Sequence, residues 1–217
     1  MKIGLIGYGK MGKAVERLSL QLGHEVLIGL DSIVDVAIDF TEPEAVKKTA
    51  LALRLTKTPW VIGTTGWKKE EVLTIAREGE IPLLYGPNFS MGMAIFSRLA
   101  KIGGALMGDS YTKKGIDIHH AEKKDTPSGT ALKLMEDIPG LSFESIRKGD
   151  HIGTHQVIFD SFEDSIEITH RAKDRDGFAK GAILAAEWLV GKEGIYTFDD
   201  FIEKRFICHF QEPLQPL

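Results

Sequence analysis

Two histidines, two lysines and two acids stand close together in His119-His120-Ala121-Glu122-Lys123-Lys124-Asp125, and Thr126-Pro127-Ser128-Gly129-Thr130-Ala131 follows directly. Imidazole and ammonium groups exchange protons. Ser128 can cap a helix running through Thr130, Ala131, Leu132, Lys133, Leu134 and Met135. The first N–H groups of such a helix lack internal partners and carry the positive end of its dipole, which favours bound anions. These types at this spacing suit a site that holds a carboxylate and moves a proton. They equally compose a polar loop followed by an ordinary cap, and on spacing alone that plainer account is slightly favoured.

A strand and a helix must place these side chains. Ile116 and Ile118 alternate with Asp117 and His119, the period of a strand, and a helix runs on from Ser128 to about Ile138. Neighbours on a strand point to opposite faces, so His119 and His120 cannot easily share one ion with Asp117 or Glu122. His24, His151, His155, His170 and His209 lack the spacing of metal ligands and read as surface or core-satisfied. No metal is expected.

The chain before this stretch reads as alternating strands and helices. Lys2 to Ile6 is a short apolar run, and Gly7-Tyr8-Gly9-Lys10-Met11-Gly12 supplies G-x-G-x-x-G. Met11, Ala14, Val15, Leu18 and Leu22 then recur at helical spacing until Gly23 stops the helix. Such a turn brings backbone close to a pyrophosphate and packs helix tightly on strand. A second strand, Glu25 to Leu30, ends in Asp31, 19 residues after Gly12, near the spacing of an acid that binds the adenosine ribose. Further strands follow at 34–40, 60–62 and 81–85, with helices at about 43–55 and 68–78 between them. Thr41-Glu42-Pro43-Glu44 reads as a capping box with proline in the first turn. This alternation predicts an α/β, Rossmann-type doubly wound parallel sheet, with ligand at the carboxyl ends of its strands.

After a helix at 91–107 the pattern changes. Strand-like segments at 143–147, 154–159 and 165–170 follow one another without helices, which predicts a second α+β domain containing an open mixed sheet. An apolar helix opens near Gly177, and residues 196–206 return toward the first domain. The expected domains are 1–90 plus 176–217, and 91–175.

Composition sets outer bounds. A formal net charge of −4 gives no reason to expect nucleic acid or an anionic membrane as partner. The single Cys208 cannot form an internal disulfide, which suits a reducing cytoplasm, and it reads as a packed thiol. The N-terminus shows no secretory leader, and no apolar run approaches the length that spans a bilayer. A cytoplasmic protein is expected.

The block from His119 to Ala131 resembles the signature of the dihydrodipicolinate reductase family: a His-His pair, a lysine four positions after the first histidine, then Asp-Ala-Pro-Ser-Gly-Thr-Ala, with Thr126 here replacing the alanine. The resemblance extends to Asp39-Phe40-Thr41, Gly63-Thr64-Thr65-Gly66 and Asn88-Phe89-Ser90. Three features depart from it: a very short connection from Asp31 to Val34, Glu42 where the family often has arginine, and Ser32 where members that use NADPH well tend to have arginine.

What the resemblance implies is reduction of a cyclic dicarboxylate in lysine and diaminopimelate biosynthesis, with NADH or NADPH as cofactor. His119 and Lys123 would form the acid–base pair with Lys123 as donor; a free lysine titrates near 10.4 and so enters neutral-pH chemistry protonated. His120, Gly129, Thr130 and Arg175 would bind substrate, and the residues' own chemistry adds Ser128. The glycine turn, Gly7 to Gly12, and Asp31 would bind the dinucleotide. Gly63, Thr64 and Thr65 with Gly86, Pro87, Asn88 and Phe89 would line its nicotinamide side. A homotetramer built through the second domain's sheet, and hinges near Ser90 and Arg175, are further implications. Another dinucleotide oxidoreductase of amino-acid metabolism and a non-catalytic dinucleotide sensor are the alternatives.

Overall fold

The structure, a computed structural model, describes residues 1–30, 33–123 and 125–207. The readings placed on Asp31, Ser32, Lys124, Cys208 and His209 lie outside the described residues. The chain runs β1 (Lys2–Ile6), α1 (Lys10–Gln21), β2 (Glu25–Ile28), β3 (Val36–Asp39), α2 (Pro43–Leu53), β4 (Trp60–Ile62), α3 (Lys69–Glu78) and β5 (Leu83–Tyr85). Next come α4 (Met91–Met107), β6 (Thr112–His119), α5 (Gly129–Asp137), β7 (Ser142–Arg147), β8 (Thr154–Asp160) and β9 (Ser165–Arg171). Then follow α6 (Asp176–Leu189), β10 (Ile195–Thr197), α7 (Phe198–Ile202) and a π-helical turn, Glu203–Ile207. Two compact units result: Met1–Met91 with Arg175–Leu217, and Gly92–Asp174. Among the described residues no helix is long and apolar enough to cross a membrane.

The first unit holds a six-stranded sheet in the order β10-β5-β4-β3-β1-β2, parallel throughout. Its central strands are buried on both faces, so β3 and β4 carry no exposed residue and read as nearly unbroken apolar runs. Trp60, Ile62 and Leu83 of the sheet pack with Val46, Ala50 and Leu53 of α2 and Val72 of α3. The chain leaves β1 for β2 and then crosses back to β3 on the other side. That reversal opens a crevice beyond the carboxyl ends of β1 and β3. The returning segment docks as expected, with β10 pairing to β5. Thr197 and Asp200 form a capping box at α7.

One local expectation fails. The N-cap of α2 is Glu42 and no side chain caps it, although Pro43 does occupy the first turn. The Thr41 hydroxyl donates instead to Asp39 Oδ1 at 2.6 Å. Asp39 is fully buried, and an unpaired buried carboxyl costs more than an uncapped, solvated helix end.

The second unit is a four-stranded mixed sheet, β7-β6-β8-β9, in which β6 and β7 are parallel and the other pairs antiparallel. One face packs against α4 and α5, with Met93, Phe96, Ala100, Leu134 and Ile138 over Val157 and Phe159. On β6 this inward face carries Gly115, Asp117 and His119, whereas Ile116 and Ile118 lie half-buried on the other. Alternation marks a strand without saying which set turns inward; here the polar set does.

Candidate active site

The first unit forms a groove of about 570 Å³ at the crevice beyond β1 and β3. Gly9, Lys10 and Met11 line one wall, Thr41, Glu42 and Pro43 another, with Gly63, Thr64 and Thr65 beside them. The three glycines of the turn have separate reasons. Gly7 has φ +89°, and a Cβ there would lie 2.4 Å from the Phe40 carbonyl oxygen. A Cβ on Gly12 would lie 2.1 Å from the Gly7 carbonyl oxygen. A Cβ on Gly9 would meet nothing within 4 Å, so that glycine leaves room open. Gly9 is also the N-cap of α1 and offers no capping side chain, nor is there an acid in the first turn. Free helix N–H groups at an open glycine fit a dinucleotide pyrophosphate.

Asp39 braces this groove from below. Its Oδ1 accepts from the Thr41 N–H at 2.9 Å, from the Thr41 hydroxyl and, at 3.3 Å, from the Thr64 hydroxyl. Burial raises its pKa, against the lowering effect of those hydrogen bonds. Other expected cofactor residues lie elsewhere around the strand ends. Tyr8 is half-exposed and donates to Glu16. Asn88 accepts from the Ser90 N–H at 2.8 Å, and Phe89 is buried against Phe198. Gly86, Pro87, Asn88 and Phe89 are not among the lining residues of the groove.

In the second unit, strand register assembles a polar row. Asp117 faces Ser145 on β7 and His155 on β8, and His155 faces His170 on β9. One step along β6, His119 faces Arg147. Asp117 is fully buried. Its Oδ1 accepts from the Ser145 hydroxyl, and its Oδ2 lies 3.3 Å from Arg147 Nη1 and 3.1 Å from His119 Nδ1. Arg147 also donates to the Asp125 carbonyl at 2.7 Å, tying β7 to the segment that carries Lys123. Lys123 Nζ pairs with both Asp125 carboxylate oxygens, at 2.7 and 2.9 Å.

These contacts set the charges. Burial pushes the Asp117 carboxyl up, but the Ser145 hydroxyl, Arg147 and the two imidazoles outweigh it and hold it below the usual carboxylate range. Burial, with Lys123 beside it, pushes His119 down despite Asp117. His155 is pushed down to about 3, first by burial and then by His119. Lys123 above all holds the Asp125 carboxyl low. At neutral pH the cluster therefore pairs an ionised Asp117 with neutral imidazoles.

Ligand-type atoms of Asp117, His119 and His155 lie within 4.8 Å of one another. Asp117 is already engaged by Ser145, Arg147 and His119, and His155 Nε2 lies 3.2 Å from the Ser128 hydroxyl.

The sequence-predicted residues separate accordingly. His119, the last residue of β6, is buried, and Lys123 on the connection to α5 is partly so, with His120 half-buried between them in sequence. Ser128 is the N-cap of α5: its oxygen accepts from the Ala131 N–H and lies 3.2 Å from His155 Nε2, so the hydroxyl is engaged within the fold. Gly129 is exposed with open space around its Cα, and Thr130 is half-buried. Arg175 is exposed and stands at the N-cap of α6, in the first unit. The residues that sequence reasoning left out are Asp117, Ser145, Arg147 and His155. The only signal for Asp117 was its place two residues before His119 on one strand face.

Comparison with known proteins places these features in context. Residues 27–89 match the family model described as dihydrodipicolinate reductase, N-terminus, and residues 92–202 that described as dihydrodipicolinate reductase, C-terminus. The 4-hydroxy-tetrahydrodipicolinate reductase of Christiangramia forsetii is 37% identical across 95% of this chain and 99% of its own length. That of Alkalilimnicola ehrlichii is 38% identical across 87% of this chain and 80% of its own. The fold resembles a dipicolinate-bound dihydrodipicolinate reductase from Paenisporosarcina sp. TG-14, with TM-score 0.75, 20% identity, and coverage of 92% of this chain and 98% of that one.

Proposed function

The chain belongs to the dihydrodipicolinate reductase family, and on that premise we propose how its own residues carry out the reduction. It is an oxidoreductase that reduces 4-hydroxy-tetrahydrodipicolinate to tetrahydrodipicolinate with a reduced pyridine nucleotide, in lysine and diaminopimelate biosynthesis. A protein that shared only the first unit with this family would not match across residues 92–202.

The first unit is the dinucleotide-binding domain. The open α1 N-terminus at Gly9 holds the pyrophosphate, and Lys10, Met11, Thr64 and Thr65 flank it in the groove. Gly7 and Gly12 shape the turn, Asp31 takes the adenosine ribose, and Gly63 with Gly86 to Phe89 borders the nicotinamide. Bound nucleotide supplies the hydride. NADH serves at least as well as NADPH, because the Asp31 carboxylate and Ser32 disfavour a 2′-phosphate; among the described residues that line the groove, Lys10 is the one cation that could offset this. Specificity constants for the two cofactors test that preference.

The second unit is the substrate-binding and oligomerisation domain. Lys123 delivers the proton and His119, neutral, is its acid–base partner. Backbone N–H groups of Gly129 and Thr130, shaped by the Ser128 cap, take a substrate carboxylate, and His120 and the Arg175 guanidinium are further substrate-binding groups. The observation that carries this reading is buried His119 at the end of β6 with the ion-paired Lys123 ammonium on the short connection that follows it to α5. Following reduced-cofactor absorbance with freshly made substrate tests it; no substrate-dependent loss of absorbance would end it.

A further inference from the structure

The assigned roles leave out the most deeply buried charge among the described residues of the second unit, Asp117. It has no solvent exposure, yet three groups converge on its two oxygens. Ser145 donates its hydroxyl to Oδ1, Arg147 donates Nη1–H to Oδ2, and His119 Nδ1 stands 3.1 Å from Oδ2. An ionised carboxylate only accepts, and Arg147 can only donate. The short approach of His119 Nδ1 to the same oxygen is therefore a hydrogen bond only if Nδ1 carries the proton. Neutral imidazole then has its lone pair on Nε2.

The geometry leaves that second nitrogen uncommitted. His119 Nε2 makes no hydrogen bond with a described residue, and it lies where a Cβ on Gly153 would come within 3.3 Å. Gly153 stands across from His119 on the neighbouring strand segment, one step before Thr154, which pairs with Ile118. The absent side chain gives the ring its place. On the other side, Arg147 faces His119 directly and binds both Asp117 and the Asp125 carbonyl. One carboxylate thus orients the imidazole and is itself held by two donors from β7.

We propose that Asp117, held by Ser145 and Arg147, is the positioning residue of this site: it keeps His119 as the Nδ1–H tautomer and presents the Nε2 lone pair for proton transfer. This rests on the reading of His119 as an acid–base residue. Asp117 touches neither substrate nor cofactor in that role.

Two measurements decide it. In the intact protein, long-range ¹H–¹⁵N spectra assigned with His119→Gln should show a neutral His119 protonated on Nδ1. A ring protonated on Nε2 overturns the proposal, and Asp117→Ala need not fold for that reading. Asp117→Ala, checked for folding by circular dichroism, should lower kcat by roughly 10²-fold or more. Its KM and nucleotide affinity should stay near wild type, and His119 should show mixed tautomers. A folded Asp117→Ala with kcat within a few-fold of wild type overturns the positioning role, while inactive His119→Gln would leave the acid–base reading standing. Active His119→Gln removes that reading and this proposal together.

Discussion

Lys123 and His155 show how one side chain's surroundings set its use. Lys123 is held by a carboxylate that is itself half-exposed, so its ammonium is oriented without being sealed from a ligand. Removing a positioned proton donor lowers turnover by roughly 10²–10⁴-fold, and Lys123→Ala should fall in that range with nucleotide affinity unchanged. Steady-state kinetics with a separate binding titration reads both. His155 makes a different prediction. Above about pH 6.5 a histidine is neutral in the unfolded chain, as His155 is in the fold, so it adds no slope to stability. As pH falls from there toward about 3, the unfolded chain takes up a proton that buried His155 refuses. Stability should therefore drop by up to about 1.4 kcal/mol per pH unit from this residue, and level out below its folded pKa. Burial lowers His119 and His170 in the same direction. Urea unfolding at pH 7 and pH 5 should show a smaller difference for His155→Gln than for wild type; equal differences would mean that His155 is not held neutral.

The proposed reading gives the anion chemistry to two helix starts, which differ in how they are finished. α1 opens at a bare glycine, and α5 opens at a serine whose oxygen already accepts from the helix. A protein of net charge −4 must attract a dicarboxylate locally, and the proposed groups for this are such a terminus and the Arg175 guanidinium. The dipole of a helix start contributes about 0.3–2 kcal/mol, and a charged hydrogen bond about 1.5–3 kcal/mol. Pyridine-2,6-dicarboxylate should therefore inhibit competitively with substrate, and a pyridine monocarboxylate much more weakly. Arg175→Ala should weaken the dicarboxylate and leave nucleotide affinity alone. Equal inhibition by both compounds would rule out two anion contacts.

The second unit's sheet has two unlike faces. One is closed by α4 and α5; the other presents half-buried Ile116, Ile118, Ile146 and Ile158 among polar neighbours. Joining copies through that face would cover these isoleucines, which supports the proposed homotetramer. Light scattering on a size-exclusion column should give four times the 24.0 kDa chain mass. Ile158→Glu would bury a charge in the joined face and should lower that mass. A wild-type monomer at micromolar concentration would count against the assembly.

Much of the fold was legible because its signals are local. Strand and helix periods, the Gly7–Gly9–Gly12 turn and the Ser128 cap each lie within a few residues, and each formed where it was read. Lys123 and His119 were legible as a motif for the same reason. Two things were settled only by tertiary structure. Thr41 had two partners within reach along the chain, and the burial of Asp39 decided between them. The Ser145–Asp117–His155 row joins residues from three strands through register alone, so no spacing in the sequence announces it. Alternation on β6 fixed which residues share a face; packing against α4 and α5 decided that the face with Asp117 and His119 turns inward. A buried carboxylate must find donors, and those donors lie 28 and 30 residues away along the chain, on a neighbouring strand that only folding brings alongside.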